Sequence, residues 1–243
     1  MVPKLSRVSG LRDSQDWRVE VRTGSVESGH EPTGPFDCRL VLRHEPTGPA
    51  LVLGSGQRMQ PGLESRAEAE GLPVIRRRSG GGAVLVIPEA VLWVDLLLPR
   101  VDSLWEEDVG RSTAWVGMAW QEALSSFGIQ AHLAGRNASH GSSFRGSLGH
   151  EVCFAGRTAS EVLVGKRKVV GISQRRDRHG ARFQCAALVG SNAVELSVAP
   201  LVRLLGFEPA DKALEAILDS VGSVNVTAGD LFLALLGALK RVI

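Results

Sequence analysis

The amino-acid sequence predicts an α+β fold in which a mixed β-sheet is flanked by helices. Two observations predict it. Short segments between residues 50 and 98 are almost continuously apolar, which is typical of strands that are covered on both faces. Longer segments, at 104–127 and towards the C-terminus, repeat apolar residues at helical spacing.

The elements follow one another in a readable order. Glycine and proline residues mark where the apolar segments of the first half end. That half predicts, in chain order, a strand at 50–53, a helix at 63–70 that Gly71 ends, a strand from residue 73, and an apolar hairpin at 83–98 turned at Pro88-Glu89.

The second half begins with a helix at 104–127, for which Ser103 and Glu106 predict a capping box. A polar loop at 135–149 is long for a compact domain and suggests a binding segment. A three-stranded meander is expected at 152–189. Thr227 and Asp230 are expected to cap a last amphipathic helix that ends near Lys240.

Length and composition limit the class of protein. A chain of 243 residues with 44% hydrophobic content suits one large domain with a small appendage. We take residues 1–48, which are polar and rich in Gly, Pro and Ser, as an N-terminal extension that packs on or precedes a domain at 49–243. A helix near Ser14 and much irregular structure are expected in the extension.

Charge and cysteine content exclude several other classes. The net charge of +2 does not favour a nucleic-acid partner. No apolar run reaches the roughly 18 residues that a membrane span needs, and no signal peptide is visible, so we predict a cytoplasmic protein without a membrane partner. Cys38, Cys153 and Cys185 are too few and too scattered for disulfides or zinc, and no metal site is predicted. The six histidines fall in polar loops and are interpreted as solvated unless they are paired.

A glycine-rich segment at 76–84 is the most informative stretch. Its three consecutive glycines can adopt positive φ, and their N–H groups can bind a carboxylate or phosphate, while the neighbouring arginines add charge-assisted hydrogen bonds. A flexible hairpin turn with solvated arginines is the alternative, and the residues alone leave both open. The segment matches neither a Walker loop nor the dinucleotide fingerprint. Its candidate binding residues are Arg76, Arg77, Ser79, Gly80, Gly81, Gly82 and Ala83.

A basic hairpin at 165–176 is the second informative segment. Read alone it is a solvated basic turn, but Lys168 starts an apolar strand and Gly171 leaves room for a group to pass close to the backbone. A lysine at the end of a strand is expected to contribute little to the core.

Together the two segments resemble the lipoate–protein ligase and octanoyltransferase family, which is related to biotin protein ligases. The first resembles the Arg-Arg-x-Ser/Thr-Gly-Gly-Gly-Ala-Val signature, and the second the Gly-x-(Arg/Lys)-Lys-x-x-Gly-Ser-Ala-Gln-x-Arg motif. The segment from Leu53 to Gln57 resembles the Gly-x-x-Gln motif, which adds Gln57 to the binding residues. The resemblance implies a biotin-ligase-like catalytic fold for 49–243. It places Lys168 on the essential lysine and Gly171 on its paired glycine.

The resemblance implies either of two reactions. In the ligase version, lipoate or octanoate reacts with ATP, with Mg²⁺ present, to form an acyl-adenylate, and the acyl group passes to a lysine of a lipoyl-domain or glycine-cleavage carrier protein. In the octanoyltransferase version, Cys153 forms a thioester and no cofactor is needed. Cys153 read alone is a packed strand cysteine, and Cys185 is interpreted as core.

Several positions depart from the family pattern. Val86 to Ala90 stands where ligases often have His-Asp-x-Gly-Asn, and Ile172-Ser173 follows Gly171 instead of Ser-Ala. Ser160-Glu161 stands where the usual Asn-Asp is expected. A non-catalytic module that binds an acyl group or a nucleotide is therefore a third reading.

Overall fold

Two sheets and the helices packed on them make up the fold. The computed structural model describes residues 6–7, 17–135, 151–207 and 212–241. The strands are β1 (Ser6–Arg7), β2 (Arg18–Gly24), β3 (Leu40–Pro46), β4 (Ala50–Leu53), β5 (Val74–Arg76), β6 (Val84–Val86), β7 (Val91–Pro99), β8 (Ala131–Leu133), β9 (Val162–Val164), β10 (Arg167–Arg176) and β11 (Gly180–Leu188). The helices are α1 (Val26–His30), α2 (Leu63–Ala69), α3 (Ala114–Ser125), α4 (Ala199–Leu204), α5 (Lys212–Ser220) and α6 (Ala228–Leu239), and a π-helical turn at Val194–Val198 leads into α4.

Parallel and antiparallel pairings are both present. The larger sheet has the order β1-β2-β3-β7-β11-β10-β9-β8, and the smaller has the order β5-β4-β6. The pairs β2–β3 and β4–β5 are parallel, and the others are antiparallel. The predicted α+β class, with a mixed sheet flanked by helices, is confirmed.

Strand β7 lies at the centre of the molecule, and all nine of its residues are buried. Val94, Leu96 and Leu98 belong to the apolar cluster that contains α3 and α6. Val91 and Trp93 belong to the cluster on the opposite face, which contains the smaller sheet. The expectation that these apolar strands are covered on both faces is confirmed.

The hairpin predicted for residues 83–98 is wrong. Strand β6 pairs with β4 in the smaller sheet, whereas β7 pairs with β3 and β11 in the larger one. The turn at Pro88-Glu89 therefore carries the chain from one sheet to the other. Local apolar patterning identified both strands, but it contains no information about which partner each strand finds.

The helix predicted from residue 104 begins ten residues later, at Ala114, and the capping box is wrong. The Ser103 hydroxyl accepts a hydrogen bond from Nη2 of Arg39, and Asp102 forms an ion pair with the same guanidinium at 2.8 Å. The Arg39 guanidinium therefore binds Asp102 and Ser103, the residues at which the helix was expected to start, and residues 104–113 form turns.

The region before residue 49 is more regular than predicted. Strands β2 and β3 run parallel, and β3 pairs with β7, so these strands belong to the larger sheet. The expectation of much irregular structure is wrong for 18–30 and 40–46, whereas residues 31–39 form neither helix nor strand. The boundary at residue 49 stays a prediction. The helix expected near Ser14 and most of the loop expected at 135–149 lie outside the described residues.

The meander is confirmed for β9, β10 and β11, which pair antiparallel in order. Residues 152–154 form no strand of it, and Val152 instead makes a single parallel bridge to Ala83. The predicted cap of the last helix is confirmed, because Oγ1 of Thr227 accepts from the Asp230 backbone N–H at 3.0 Å. Within the described ranges, no helix is long and apolar enough to cross a membrane.

Candidate active site

A cavity lies between the two sheets, where both predicted motifs meet. Val52, Val84 and Val86 of the smaller sheet form one wall, and Arg77, Cys153 and Gly171 also line the cavity. The lining residues are His30, Val52, Arg77, Val84, Val86, Val91, Trp93, Cys153, Gly171, Ile172, Ser173, Gln184, Cys185 and Ala186. Most of this wall is apolar, as a binding site for an acyl chain requires.

Lys168 is buried beside this cavity, with only 1% of its side chain exposed. Its Nζ donates to the carbonyl oxygens of Cys153 at 2.7 Å and Gly156 at 3.1 Å, and to Oε1 of Glu161 at 2.6 Å. The expectation that this lysine contributes little to the core is wrong, because its ammonium is one half of a buried ion pair. Such a pair strongly destabilises the fold when only one partner is removed.

Gly171 brings Lys168 and Cys153 together. A Cβ atom added to Gly171 would lie 3.6 Å from Sγ of Cys153 and 3.7 Å from Nζ of Lys168. The thiol and the ammonium therefore both approach the space that the missing side chain leaves. The predicted pairing of the lysine with this glycine has a direct geometric basis.

Arg77 lines the cavity and is buried. Its Nη2 donates to the carbonyl oxygens of Gly80 at 2.7 Å and Gly82 at 2.9 Å. Its Nη1 is buried without a hydrogen-bond partner among the described residues. Burial lowers the pKa of Arg77, yet a guanidinium remains charged in a protein. A buried cation with a free donor on a cavity wall is suited to an anionic group.

The glycine loop packs tightly against the end of β4. A Cβ atom on Gly54 would lie 1.8 Å from the carbonyl oxygen of Gly81, so only glycine fits there. Gly81 itself has a φ of 99°, a conformation that favours glycine. Ser79 Oγ donates to Oε1 of Gln184 at 2.7 Å and lies 3.0 Å from Oγ of Ser173, which ties the loop to β10 and β11.

Of the nine predicted binding residues, only Arg77 and Gly171 line the cavity, and the other seven, Arg76 and Gln57 among them, do not. Nη1 of Arg76 donates to the carbonyl oxygens of Gly54 at 2.9 Å and Gln57 at 2.6 Å. Gln57 Nε2 donates to Oε2 of Glu151 at 2.6 Å. Both side chains hold the segment from Gly54 to Gln57 against its neighbours, and so they position the loop.

Ala83 connects the loop to the cysteine. Its N–H donates to the carbonyl oxygen of Glu151 at 2.6 Å, and its carbonyl oxygen accepts from the N–H of Cys153 at 2.9 Å. Cys153 is half-buried on the cavity wall. Cys185 is fully buried, and burial raises the pKa of its thiol to about 12, which supports its interpretation as core.

A stack of three rings stands beside the cavity, and the sequence did not predict it. The Trp93 ring lies between His30, at 4.5 Å between centroids, and His44, at 4.1 Å. The placement of these two histidines in polar loops is wrong, because His44 is buried on β3 and paired with Asp95, and His30 lines the cavity.

Asp95 contacts two of the rings in this stack, Trp93 and His44. Its carboxylate accepts hydrogen bonds from Trp93 Nε1 at 3.0 Å and from Arg182, and it lies 2.7 Å from His44 Nε2. Burial raises the pKa of Asp95, but Arg182 and His44 outweigh burial and hold that pKa well below its usual range. A carboxylate within an apolar strand was the signal that a buried cation must lie nearby.

The pKa of His30 predicts how stability depends on pH. Burial is the largest cause and lowers this pKa from 6.5 to about 4. Arg182, Arg77 and His44 act in the same direction, and Asp95 opposes them. Since the unfolded chain binds the proton more readily, the contribution of His30 is complete above pH 6.5 and is lost as the pH falls towards 4.

We expect the free energy of unfolding to fall by about 2–3 kcal/mol between pH 6.5 and pH 4 because of His30. His30→Gln should remove most of this slope in urea unfolding. His132→Gln, at an exposed position on β8, is the matched control and should keep it. An unchanged slope in His30→Gln would show that the His30 imidazole does not titrate as described.

The fold and the cavity define the class of this protein: a catalytic domain in which a buried lysine and a glycine loop meet beside an apolar cavity. A family model described as lipoyl protein ligase A/B catalytic domain matches residues 32–228. The chain therefore belongs to this family. No curated protein sequence matches it.

Solved structures share the fold. A lipoate-protein ligase A bound with ATP aligns at 16% identity with a TM-score of 0.63, over 85% of this chain and 73% of the other. Two structures from Thermoplasma acidophilum also align. One, a putative lipoate protein ligase with bound lipoic acid, has 14% identity and a TM-score of 0.62, over 89% of this chain and 77% of the other. The other is a bi-partite lipoate protein ligase with its E2 lipoyl domain. It has 15% identity and a TM-score of 0.67, over 94% of this chain and 84% of the other.

Proposed function

We propose that this protein activates lipoate or octanoate with ATP and transfers the acyl group to a lysine of a carrier domain. One observation carries the proposal: the Lys168 ammonium lies beside Gly171, and Gly171 and the buried Arg77 line the same apolar cavity. The acyl chain would lie along the apolar wall, and its carboxylate would face the cations. Residues 49–243 would form the catalytic domain, with β2 and β3 completing its sheet.

The proposed reaction has two steps. A carboxylate oxygen of the acid attacks the α-phosphorus of ATP, and pyrophosphate leaves. The amine of the carrier lysine then attacks the acyl carbon and loses a proton, and AMP leaves. Negative charge develops near the carboxyl group in both steps, and fixed positive groups stabilise such charge in a site closed to water.

Each cation has a distinct role in this proposal. Glu161 and two carbonyl oxygens hold the Lys168 ammonium in one place, so that little reorganisation is needed during the reaction. Arg77 keeps one donor, Nη1, unpaired among the described residues, and that donor would bind a carboxylate or phosphate oxygen. Gly80 and Gly82 hold Arg77 in place through their carbonyl oxygens, and the N–H groups of the glycine loop would bind the substrate.

The described ranges contain no group of three His, Cys, Asp or Glu side chains that could hold a metal ion. Magnesium is commonly held by substrate phosphates with only one or two carboxylates. It would therefore arrive with ATP. A cytoplasmic location stays a prediction.

A second candidate function is ATP-independent octanoyl transfer, which the position of Cys153 on the cavity wall favours. The Cys153 thiolate would attack the thioester carbonyl of an octanoyl carrier, and the carrier thiol would leave. The new thioester on Cys153 would then acylate the acceptor lysine. A lipoyl-domain or glycine-cleavage carrier protein would be the acceptor in both proposals.

Two assays separate these candidates. The ligase reaction requires ATP–pyrophosphate exchange that depends on lipoate or octanoate, and Cys153→Ser should retain most of that exchange. The transferase reaction requires an added octanoyl mass on the protein after incubation with an octanoyl carrier without ATP. That adduct should vanish in Cys153→Ser and survive in Cys185→Ser, the matched control. Failure of both assays together with tight acyl binding would leave a binding module.

A further inference from the structure

We propose that the indole of Trp93, with the His30 ring stacked on it, ends the acyl-chain site and sets the longest chain that the protein accepts. This inference rests on the proposed function, because it assumes that an acyl group occupies the cavity between the sheets. It assigns a specificity-determining role to a residue that stands at the end of the cavity opposite to Lys168.

The first argument is a row of aligned residues across the larger sheet. Gly171 pairs with Ala186, Ala186 with Trp93, Trp93 with His44, and His44 with Arg22. Residues directly opposite one another on neighbouring strands project from the same face. The row therefore contains two very small residues, then a large ring, and it begins where the Lys168 ammonium lies.

The second argument is length. Neighbouring strands are about 4.8 Å apart, so the path from Gly171 to Trp93 is roughly 10 Å. An extended chain advances about 1.2 Å per single bond, so an octanoyl chain extends roughly 9 Å. A chain with its carboxyl group near Gly171 would thus cross Ala186 and reach the stacked rings of His30 and Trp93 with its last carbons.

The third argument is that the ring is held in place. His30 and His44 stack on its two faces, and Nε1 donates to Asp95 at 3.0 Å. Helix α1 packs so closely that a Cβ atom on Gly29 would lie 2.5 Å from the indole. Rotation of Trp93 would break these contacts, so the ring acts as a fixed wall.

The fourth argument is the space behind the wall. A second cavity of about 210 Å³ is lined by Trp93, His44 and Arg22, together with residues of α1. The first cavity is also lined by Trp93. The indole is therefore a shared wall between the two cavities, and a smaller side chain there would open one into the other.

The test measures binding of octanoate, decanoate and dodecanoate by calorimetry. Wild type should bind octanoate at least tenfold more tightly than dodecanoate. Trp93→Leu should reverse this order, with dodecanoate at least tenfold tighter, since each buried methylene contributes roughly fourfold in affinity. The gain in dodecanoate affinity should stay below fourfold for each added methylene, because Arg22 and Glu45 make the second cavity partly polar.

Trp120→Leu is the matched control. Trp120 is equally buried but lies in the cluster on the opposite face of the sheet, so this variant should lose stability and keep the wild-type order of chains. Ala186→Leu provides a second variant if Trp93→Leu does not fold. It places a branched side chain in the middle of the row and should weaken octanoate at least tenfold.

The outcomes are distinct. The inference would be overturned if Trp93→Leu ranked the three acids by affinity in the same order as wild type. It would also be overturned if Ala186→Leu bound octanoate as tightly as wild type. The proposed function would stand in either case. Wild-type protein that binds none of the three acids and none of their carrier thioesters would overturn the proposed function, and the inference with it.

Discussion

Lys168→Ala is expected to reduce acyl transfer by at least about 100-fold, the magnitude typical of one lost electrostatic contact at a reacting centre. Lys168 supplies a fixed positive charge beside Gly171 and Cys153, where the carboxyl group of the substrate would lie. Single-turnover transfer of the acyl group to a carrier domain measures the effect. The matched control is Lys166→Ala, which removes an exposed charge from the same hairpin and should change little.

The same substitution should also destabilise the fold, so activity and stability must be separated. Removal of Lys168 leaves the carboxylate of Glu161 buried without its partner, at a cost of about 3–5 kcal/mol. The double variant Lys168→Ala with Glu161→Gln removes both charges and should recover most of that loss. It should remain inactive. Recovery of transfer along with stability would show that Lys168 is only a structural partner of Glu161.

Gly54→Ala is expected to reduce acyl transfer about 100-fold through the glycine loop. The added Cβ would lie 1.8 Å from the carbonyl oxygen of Gly81, so the loop must move by roughly 1 Å, and a displacement of that size costs about two orders of magnitude in rate. The Arg77 guanidinium would be displaced as well, since it donates hydrogen bonds to carbonyl oxygens of that loop.

Gly56→Ala is the control, because an added Cβ there meets nothing within 4 Å and the residue lies in the same turn. Thermal unfolding of both variants measures the strain, and carrier acylation measures the rate. Normal transfer by folded Gly54→Ala would mean that the loop tolerates the displacement and does not position the substrate.

Local patterns predicted the elements that depend on their own residues. The strand at 50–53, the helix near 63–70 and the Thr227 cap are set by side chains within a few positions of one another. The two motifs that meet at the cavity were also visible, because three glycines in a row and a lysine entering an apolar strand are unusual in themselves. Their meeting was implied only by the family resemblance.

Long-range contacts decided the elements that were predicted wrongly. Residues 104–113 carry a helical pattern, but the Arg39–Asp102 ion pair holds the chain in turns there. Strand β6 follows the loop into the smaller sheet because its partner is β4, although its sequence would equally suit a hairpin with β7. In both cases a partner more than 30 residues away outweighs the local preference.

The sequence by itself determined most of the strands and helices between residues 50 and 240, and it showed the two motifs whose residues Arg77 and Gly171 line the cavity. Only the tertiary structure decided that Trp93 lines the cavity with the rings of His30 and His44 stacked on it. Asp95 binds His44, which lies 51 residues before it in the chain, and Arg182, which lies 87 residues after it. These contacts hold the Trp93 ring in place in the cavity. No local pattern encodes this stack, because a buried carboxylate needs cations and the fold alone determines which strands supply them.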